Sequence, residues 1–179
     1  MPHAPSPIDD AAPLVIARIE AAPAPGWLSI GPCPGRADEK RNLARDLAAI
    51  RATGVTILIT LMTRDELDEL GVGDLQAESR RIGLIWHHLP IRDFGTPDAR
   101  WEEAWQLVSP GLRAALRQGS GIHLHCRGGC GRSGMIAARL LAELGVAPGA
   151  AIARVRAARP CAIETAEQEN VVRGAKPAI

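Results

Sequence analysis

A continuous apolar run, GVTILITLM at residues 54–62, is the feature that most constrains how this chain can fold. Its β-branched residues favour a strand, and a strand that is apolar on both faces must be covered on both faces. Such strands belong to sheets with helices packed on each side, in chains where strands and helices alternate. The rest of the sequence shows that alternation. We therefore predict a single-domain α/β fold with a central, largely parallel sheet flanked by helices.

The other elements follow from local patterns. Further strands are predicted in PLVIARIE, GWLSIG, LIWHHLPI and GIHLHC. Helices are predicted at residues 38–53, at 63–83 in one or two pieces broken near Gly71 and Gly73, after Pro97 with a bend at Pro110, and in SGMIAARLLAELG, PGAAIARVRAAR and ETAEQENVVR. Residues 1–13, which carry four prolines, are expected to be a flexible leader. Residues 14–174 then form the domain and residues 175–179 a C-terminal tail.

Composition excludes several classes of protein. Hydrophobic residues make up 46% and charged residues 23% of the chain, as in ordinary globular proteins. The net charge of +1 provides no overall field for nucleic acid or a membrane, so neither partner is expected. The opening residues lack a secretory pattern, and we expect a cytoplasmic protein. For such a protein a disulfide scaffold is not expected, so the cysteines Cys33, Cys126, Cys130 and Cys161 indicate either chemistry or core packing.

The segment HCRGGCGRSG combines a cysteine, flexible backbone and fixed positive charge between a predicted strand and a predicted helix. Its glycines Gly128, Gly129 and Gly131 allow several backbone N–H groups to face one centre. The N-terminus of the following helix adds partial positive charge there. Arg132 can bind a tetrahedral oxyanion through two parallel hydrogen bonds. The residues between Cys126 and Arg132, including Arg127 and Cys130, are therefore predicted to form a phosphate-binding loop.

The same electrostatic field favours the thiolate form of Cys126. A free thiol titrates near about pH 8.5, and helix ends and nearby cations lower that value. Cys126 is therefore expected to attack a phosphorus atom bound in the loop. Ser133 is placed to donate a hydrogen bond to the sulfur and ease its departure.

Cys126 to Ser133 resembles the signature loop of the cysteine-dependent protein tyrosine and dual-specificity phosphatases, and His125 matches the histidine that usually precedes their nucleophile. The resemblance implies a phosphocysteine intermediate, no metal or other cofactor, and a carboxylic acid on a separate loop. In LPIRDFGTPD, Asp93 matches the position of that acid, while Asp98 is expected to cap the long helix. In IETAEQENVV, Gln168 matches the glutamine that orients the hydrolytic water.

The similarity continues outside the site. GPCPG, RNLARDLAAIRATGVTILITLMTRDEL, WHHLPIRDFGTPD and IHLHCRGGCGRSG resemble, in order, the kinase-associated phosphatase branch of the superfamily, the cyclin-dependent kinase inhibitor 3 type. This resemblance covers the chain from about Trp27 to Val172. A kinase partner is not implied, because similarity over a whole chain does not identify a docking surface.

Other kinds of chemistry fit this segment less well. A metal site from His123, His125, Cys126 and Cys130, with His87 and His88 nearby, lacks a second ligand pair at zinc spacing. A rhodanese-type sulfur transferase would need an arginine where Gly131 stands. Low-molecular-weight phosphatases and arsenate reductases share the cysteine–arginine spacing but have the loop at the start of the chain. A catalytically silent phosphoprotein-binding module that kept the loop also remains open.

Several side chains have two interpretations. Cys130 is expected either to fill the turn or to act as a resolving thiol that forms a disulfide with an oxidised Cys126. Cys33 and Cys161 are expected to be small packed residues. Trp101 and Trp105 are expected to form the buried stripe of the long helix. Arg64 could brace the acid loop or remain solvated.

The substrate is predicted to be a phosphorylated protein. Lipid phosphatases of the superfamily usually carry a second basic residue at the position of Cys130, so an inositol phosphate or lipid is less expected. Phe94 is the one phenylalanine, and the chain has no tyrosine, which argues against a deep aromatic slot. The pocket is therefore expected to be shallow and to accept phosphotyrosine, with phosphoserine and phosphothreonine left open.

Overall fold

The computed structural model describes residues 12–178, and most of the predicted leader therefore lies outside the described residues. Its strands are β1 (Ala17–Glu20), β2 (Trp27–Pro32), β3 (Val55–Thr60), β4 (Ile85–His88) and β5 (Gly121–Cys126). They form one sheet in the order β1-β2-β5-β3-β4. Strand β1 pairs antiparallel with β2, and every other pair is parallel. The expected largely parallel sheet is confirmed as a mixed sheet with one antiparallel edge.

The helices are α1 (Leu43–Ala52), α2 (Arg64–Glu69), α3 (Leu75–Arg81), α4 (Ala99–Arg117), α5 (Gly131–Glu143), α6 (Pro148–Ala158) and α7 (Ala166–Gly174), with a 3₁₀ turn at Ala37–Glu39. The helix predicted at residues 38–53 starts later than expected because the Asn42 side chain caps α1 by accepting from Arg45 N–H. The segment at 63–83 is two helices, with Gly71 at a φ of 69° between them. Helix α4 continues through Pro110.

Strand β3 is covered on both faces, as its apolar run requires. Ile57 and Ile59 belong to the larger core cluster, which packs α4, α5, α6 and α7 against the sheet. Leu58, between them, belongs to a smaller cluster that includes Leu47 of α1 and Leu75 of α3. The alternation of side chains along a strand thus places helices on both sides of the sheet.

The parallel strands β3, β4 and β5 bring three loops to the same edge of the sheet, since the carboxyl ends of parallel strands lie together. These are the loop before α2, the loop between β4 and α4, and the loop between β5 and α5. In residues 12–178 no helix is both long and apolar enough to cross a membrane.

Candidate active site

The loop between β5 and α5 is built on glycine for steric reasons. Gly129 has a φ of 70°, and a Cβ on it would lie 2.1 Å from the carbonyl carbon of Gly31 in β2. A larger residue could not fit without moving backbone. Helix α5 begins at Gly131, two residues before the predicted start at Ser133. Arg132 therefore lies in the first turn, where unpaired backbone N–H groups carry partial positive charge.

Cys126 forms the floor of an open cavity of about 270 Å³ beside this loop. The residue is a free cysteine and is 4% exposed. Every other residue that lines the cavity is partly or fully exposed. These are Arg36, Asp93, Phe94, Arg127, Gly128, Cys130 and Glu164. A group entering the cavity therefore meets the sulfur at its deepest point.

Arg132 has one N–H without a partner at this site. Its two terminal nitrogens donate to both carboxylate oxygens of Glu66 at 2.9 and 3.0 Å. Nη1 also donates to the carbonyl of Ile91 at 2.9 Å, and Nη2 lies 3.0 Å from Asp93 Oδ1. Nε is buried and has no hydrogen-bond partner among residues 12–178. A guanidinium has five N–H donors, so an anion that displaces Asp93 gains two, from Nε and Nη2.

The loop between β4 and α4, which we call the acid loop, contains Asp93 and Asp98, the two acids that the sequence offers. Asp93 is exposed at the cavity wall and pairs with Arg132. Asp98 lies at the start of α4, where its carboxylate accepts from Trp101 N–H at 2.8 Å. Only Asp93 reaches the cavity, and Asp98 serves as the helix cap.

Gln168 and Ser133 lie beside the phosphate loop, between β5 and α5, and both are fully buried. Gln168 donates to the carbonyl of Gly95 in the acid loop at 3.3 Å and accepts from Glu164 N–H at 2.9 Å. A Cβ on Gly131 would lie 2.9 Å from its amide oxygen, so the amide packs against the phosphate loop. Within the part of the chain that the structure describes, the Ser133 hydroxyl has no hydrogen-bond partner. The structure thus brings all five predicted catalytic side chains to one edge of the sheet.

The side chain of Arg127 lines the cavity and also pairs with carboxylates outside it. Its Nη1 donates to Glu69 Oε1 at 3.2 Å, and Nη2 lies 3.8 Å from Asp38. The predicted extra positive charge is therefore largely offset by two exposed carboxylates.

The histidines considered as metal ligands take part in structural hydrogen bonds instead. His123 Nδ1 lies 2.8 Å from the Ser29 hydroxyl, and His125 Nε2 lies 2.7 Å from the Thr60 hydroxyl. Burial lowers the pKa of each to about 3, so both are neutral at physiological pH. Within the described part of the chain, no cluster of three or more metal-ligating side chains occurs.

Thr60 also connects His125 to the neighbouring strand. The indole N–H of Trp86 in β4 donates to Thr60 Oγ1 at 2.8 Å. The Thr60 hydroxyl therefore links Trp86 to His125 across the sheet.

The comparisons with known proteins agree with this geometry. A family model described as Cyclin-dependent kinase inhibitor 3 (CDKN3) matches residues 5–152 of the 179-residue chain. The chain belongs to the cyclin-dependent kinase inhibitor 3 family. Cyclin-dependent kinase inhibitor 3 of Rattus norvegicus is 31% identical over 160 residues, which cover 88% of this chain and 74% of the relative. The human protein of the same name matches to the same extent.

Solved structures place this member of the family among the phosphatases. Kinase-associated phosphatase, with its catalytic-site cysteine replaced by serine, superimposes with a TM-score of 0.80 at 29% identity, covering 91% of this chain and 94% of that one. Human DUSP28 shares the fold, with a TM-score of 0.62 at 18% identity over 93% of this chain and 97% of that one. By family and fold the protein is a protein tyrosine/dual-specificity phosphatase.

The cysteine chemistry of this family member differs from both sequence interpretations of Cys130. Cys130 forms a disulfide with Cys161, with 5.3 Å between their Cα atoms, while Cys126 and Cys33 are free. The predictions that Cys130 is a simple filler or a partner of Cys126, and that Cys161 is a packed residue, are therefore wrong. Cys161 is exposed and follows α6, and the tertiary fold, which no local pattern shows, brings it to the loop. Cys33 is a buried packed residue, and burial raises its pKa to about 12.

The residue that holds Arg132 is Glu66, which the sequence analysis did not single out. Glu66 also forms a capping box with Thr63 at the start of α2; the spacing in TRDE signals this cap but not the contact with Arg132. Burial opposes its ionisation, but bonds from Arg132 and Thr63 outweigh that effect, and the pKa of Glu66 lies below its usual value. Arg64 is exposed and lines a separate cavity of about 520 Å³ with Arg92.

The two tryptophans of α4 are the buried stripe that the helical spacing predicted. Trp101 and Trp105 are 5% and 2% exposed, and their rings stack with centroids 5.1 Å apart. Neither lines the Cys126 cavity.

Proposed function

We propose that the protein hydrolyses phosphomonoesters of phosphoproteins through a phosphocysteine formed on Cys126. The observation that carries the proposal is the buried free thiol on the floor of a cavity whose wall residue Asp93 pairs with Arg132, a guanidinium that has one unpartnered N–H. A phosphoryl group bound in the loop would take that N–H, a second from Nη2, and the loop amides. Its phosphorus would then lie against the sulfur.

In the first step the Cys126 thiolate forms a bond to phosphorus while the ester oxygen leaves. Asp93, released from Nη2 when the phosphoryl group arrives, would transfer its proton to that oxygen. In the second step a water attacks the phosphocysteine, Asp93 takes a proton from the water, and sulfur leaves as the thiolate. Covalent catalysis replaces one difficult displacement by two easier ones. No cofactor is assigned to either step.

Two residues are proposed to assist the second step. The Gln168 amide lies between the phosphate loop and the acid loop, where it can orient the attacking water. The unpartnered Ser133 hydroxyl can donate to the departing sulfur.

The proposed substrate class is phosphotyrosine in proteins, with phosphoserine and phosphothreonine as poorer substrates. Phe94 is 60% exposed at the cavity wall, where its ring can lie against the aryl group. The shallow opening does not exclude shorter phosphorylated side chains. Inositol phosphates are disfavoured because Cys130, tied to Cys161, stands where a second basic residue would bind them. No kinase partner forms part of the proposal.

The test is release of phenolate from an aryl phosphate in the presence of a metal chelator, for the native protein and for Cys126→Ser. We expect chelator-resistant turnover that the substitution abolishes while inorganic phosphate still binds. Native protein that binds phosphate without turnover would contradict the proposal and indicate a phosphoprotein-binding module. Hydrolysis of soluble inositol phosphates far faster than of phosphopeptides would contradict the substrate class.

A further inference from the structure

A short segment after α6 is attached to the outside of the phosphate loop. Arg159 Nε donates to the carbonyl of Gly129 at 2.7 Å, and its Nη2 donates to the carbonyl of Gly128 at 2.8 Å. Ile163 N–H donates to the carbonyl of Cys130 at 3.4 Å. Three consecutive carbonyls of the loop are therefore held by residues 159–163.

The same segment has a covalent attachment to the loop. Cys161, between the two donors, forms the disulfide with Cys130. We call residues 159–163 the clasp. The loop thus has hydrogen bonds on either side of one covalent bond, all from a single stretch of chain.

Holding the carbonyls determines where the amides point. A trans peptide unit is planar, and its C=O and N–H point in opposite directions. The carbonyl of Gly128 shares its unit with Gly129 N–H, and the carbonyl of Gly129 shares its unit with Cys130 N–H. Arg159 does not line the Cys126 cavity, whereas Gly128 and Cys130 do. Carbonyls turned toward Arg159 therefore direct these two N–H groups toward the cavity.

Arg159 suits this task because its guanidinium is planar. Two donors in a fixed fork orient two neighbouring peptide units at once, whereas the rotatable donors of a lysine ammonium impose no fixed geometry. We propose that Arg159 is a positioning residue, which together with the Cys130–Cys161 disulfide holds the loop amides in the orientation that binds a phosphoryl group. This inference rests on the proposed function for its effect on turnover, but its effect on anion binding stands independently.

The experiment compares Arg159→Ala, Arg159→Lys and a matched control, Arg154→Ala. Arg154 also donates to two backbone carbonyls, those of Glu20 and Ala22, at 3.1 and 2.8 Å, but far from the loop. Affinity for inorganic phosphate is measured by calorimetry, alongside aryl phosphate turnover and thermal stability. Phosphate affinity is the deciding readout, because it tests the clasp even if the protein turns over no substrate.

Loss of an oriented oxyanion donor typically costs catalysis about 10²–10³-fold. Because loosened amides are displaced rather than removed, we expect Arg159→Ala to weaken phosphate binding and lower kcat/KM by about tenfold to a hundredfold. Arg159→Lys, which keeps the charge but not the fork, should recover less than half of this loss on a logarithmic scale. Arg154→Ala should leave both readouts unchanged. Full recovery by lysine would show that charge alone matters and would overturn the proposal.

The covalent part is tested with the double variant Cys130→Ser/Cys161→Ser, which removes the disulfide without adding a free thiol to the loop. We expect a weaker defect, about threefold to tenfold in phosphate affinity, because the Arg159 and Ile163 bonds remain. If Arg159→Ala does not fold, the lysine and double variants still decide the matter. Native phosphate affinity in both would overturn the positioning role of the clasp.

Discussion

Substitution of Glu66 by Gln tests how Arg132 is held in place. The Arg132 side chain is 1% exposed and that of Glu66 is 15% exposed, so their two-fold contact is largely shielded from water. Removing one partner of such a pair typically costs about 3–5 kcal/mol. Glutamine keeps one oxygen acceptor but turns an amide N–H toward a guanidinium N–H. Because Arg132 also keeps its bond to the Ile91 carbonyl, we expect the loss of free energy to fall below this range.

We estimate that Glu66→Gln raises the transition-state free energy by about 1.5–3 kcal/mol, which corresponds to about a 10–150-fold lower kcat/KM. The assay is steady-state hydrolysis of an aryl phosphate at neutral pH, with thermal unfolding measured in parallel. Asp65→Asn, an exposed change of the same type one residue earlier, is the matched control and should have no effect. Activity of Glu66→Gln within twofold of the native value would refute the claim that Glu66 orients Arg132.

Three further predictions follow from the site and its surroundings. Asp93→Asn should lower kcat for phosphopeptides by about 10²–10⁴-fold. Asp98→Asn should cost at most about 1 kcal/mol of stability and leave turnover unchanged. Equal losses of activity in the two variants would contradict the assignment of Asp93 as the general acid. Burial holds the pKa of His123 and His125 at about 3, below the ordinary 6.5. Below pH 6.5 the unfolded chain therefore binds protons that the folded protein does not. The stability that the neutral rings provide is fully present above pH 6.5 and is lost as the pH falls toward 3. Urea unfolding at pH 5 should therefore show up to about 4 kcal/mol less stability than at pH 7, and pH-independent stability over that range would contradict it. Phe94 has a φ of 56°, so Phe94→Gly should relieve about 1 kcal/mol of backbone strain. The same change should lower kcat/KM for phosphotyrosyl peptides more than for phosphothreonyl peptides. Equal losses would exclude contact between the ring and the substrate.

Local patterns were enough to predict the central architecture. The apolar run of β3 predicted a strand buried on both faces, and the strand–glycine–helix order around Cys126 predicted where an anion would bind. Both features depend on neighbours in sequence. The structure confirms the buried strand, while the anion site stays a prediction. The start of α1 was wrong by several residues, because one capping side chain, Asn42, outweighed the propensity of the residues before it.

The other missed features depend on pairs of residues that are distant in sequence. Nothing near Glu66 shows that it meets Arg132, and nothing near Cys161 or Arg159 shows that α6 ends beside the phosphate loop. The disulfide was argued against from the expected location of the protein. That argument concerns the redox environment and contains no information on whether two cysteines lie within bonding distance.

The central claim is that a phosphoryl group is transferred to Cys126. The most direct measurement is rapid acid quenching of the protein with an aryl phosphate, followed by mass spectrometry of its peptides, using Gln168→Ala to slow breakdown of the intermediate. We expect one added phosphoryl group on the peptide that contains Cys126, formed in a burst with the release of phenolate. Rapid turnover without any modified peptide, or phosphorylation on a different residue, would contradict the account.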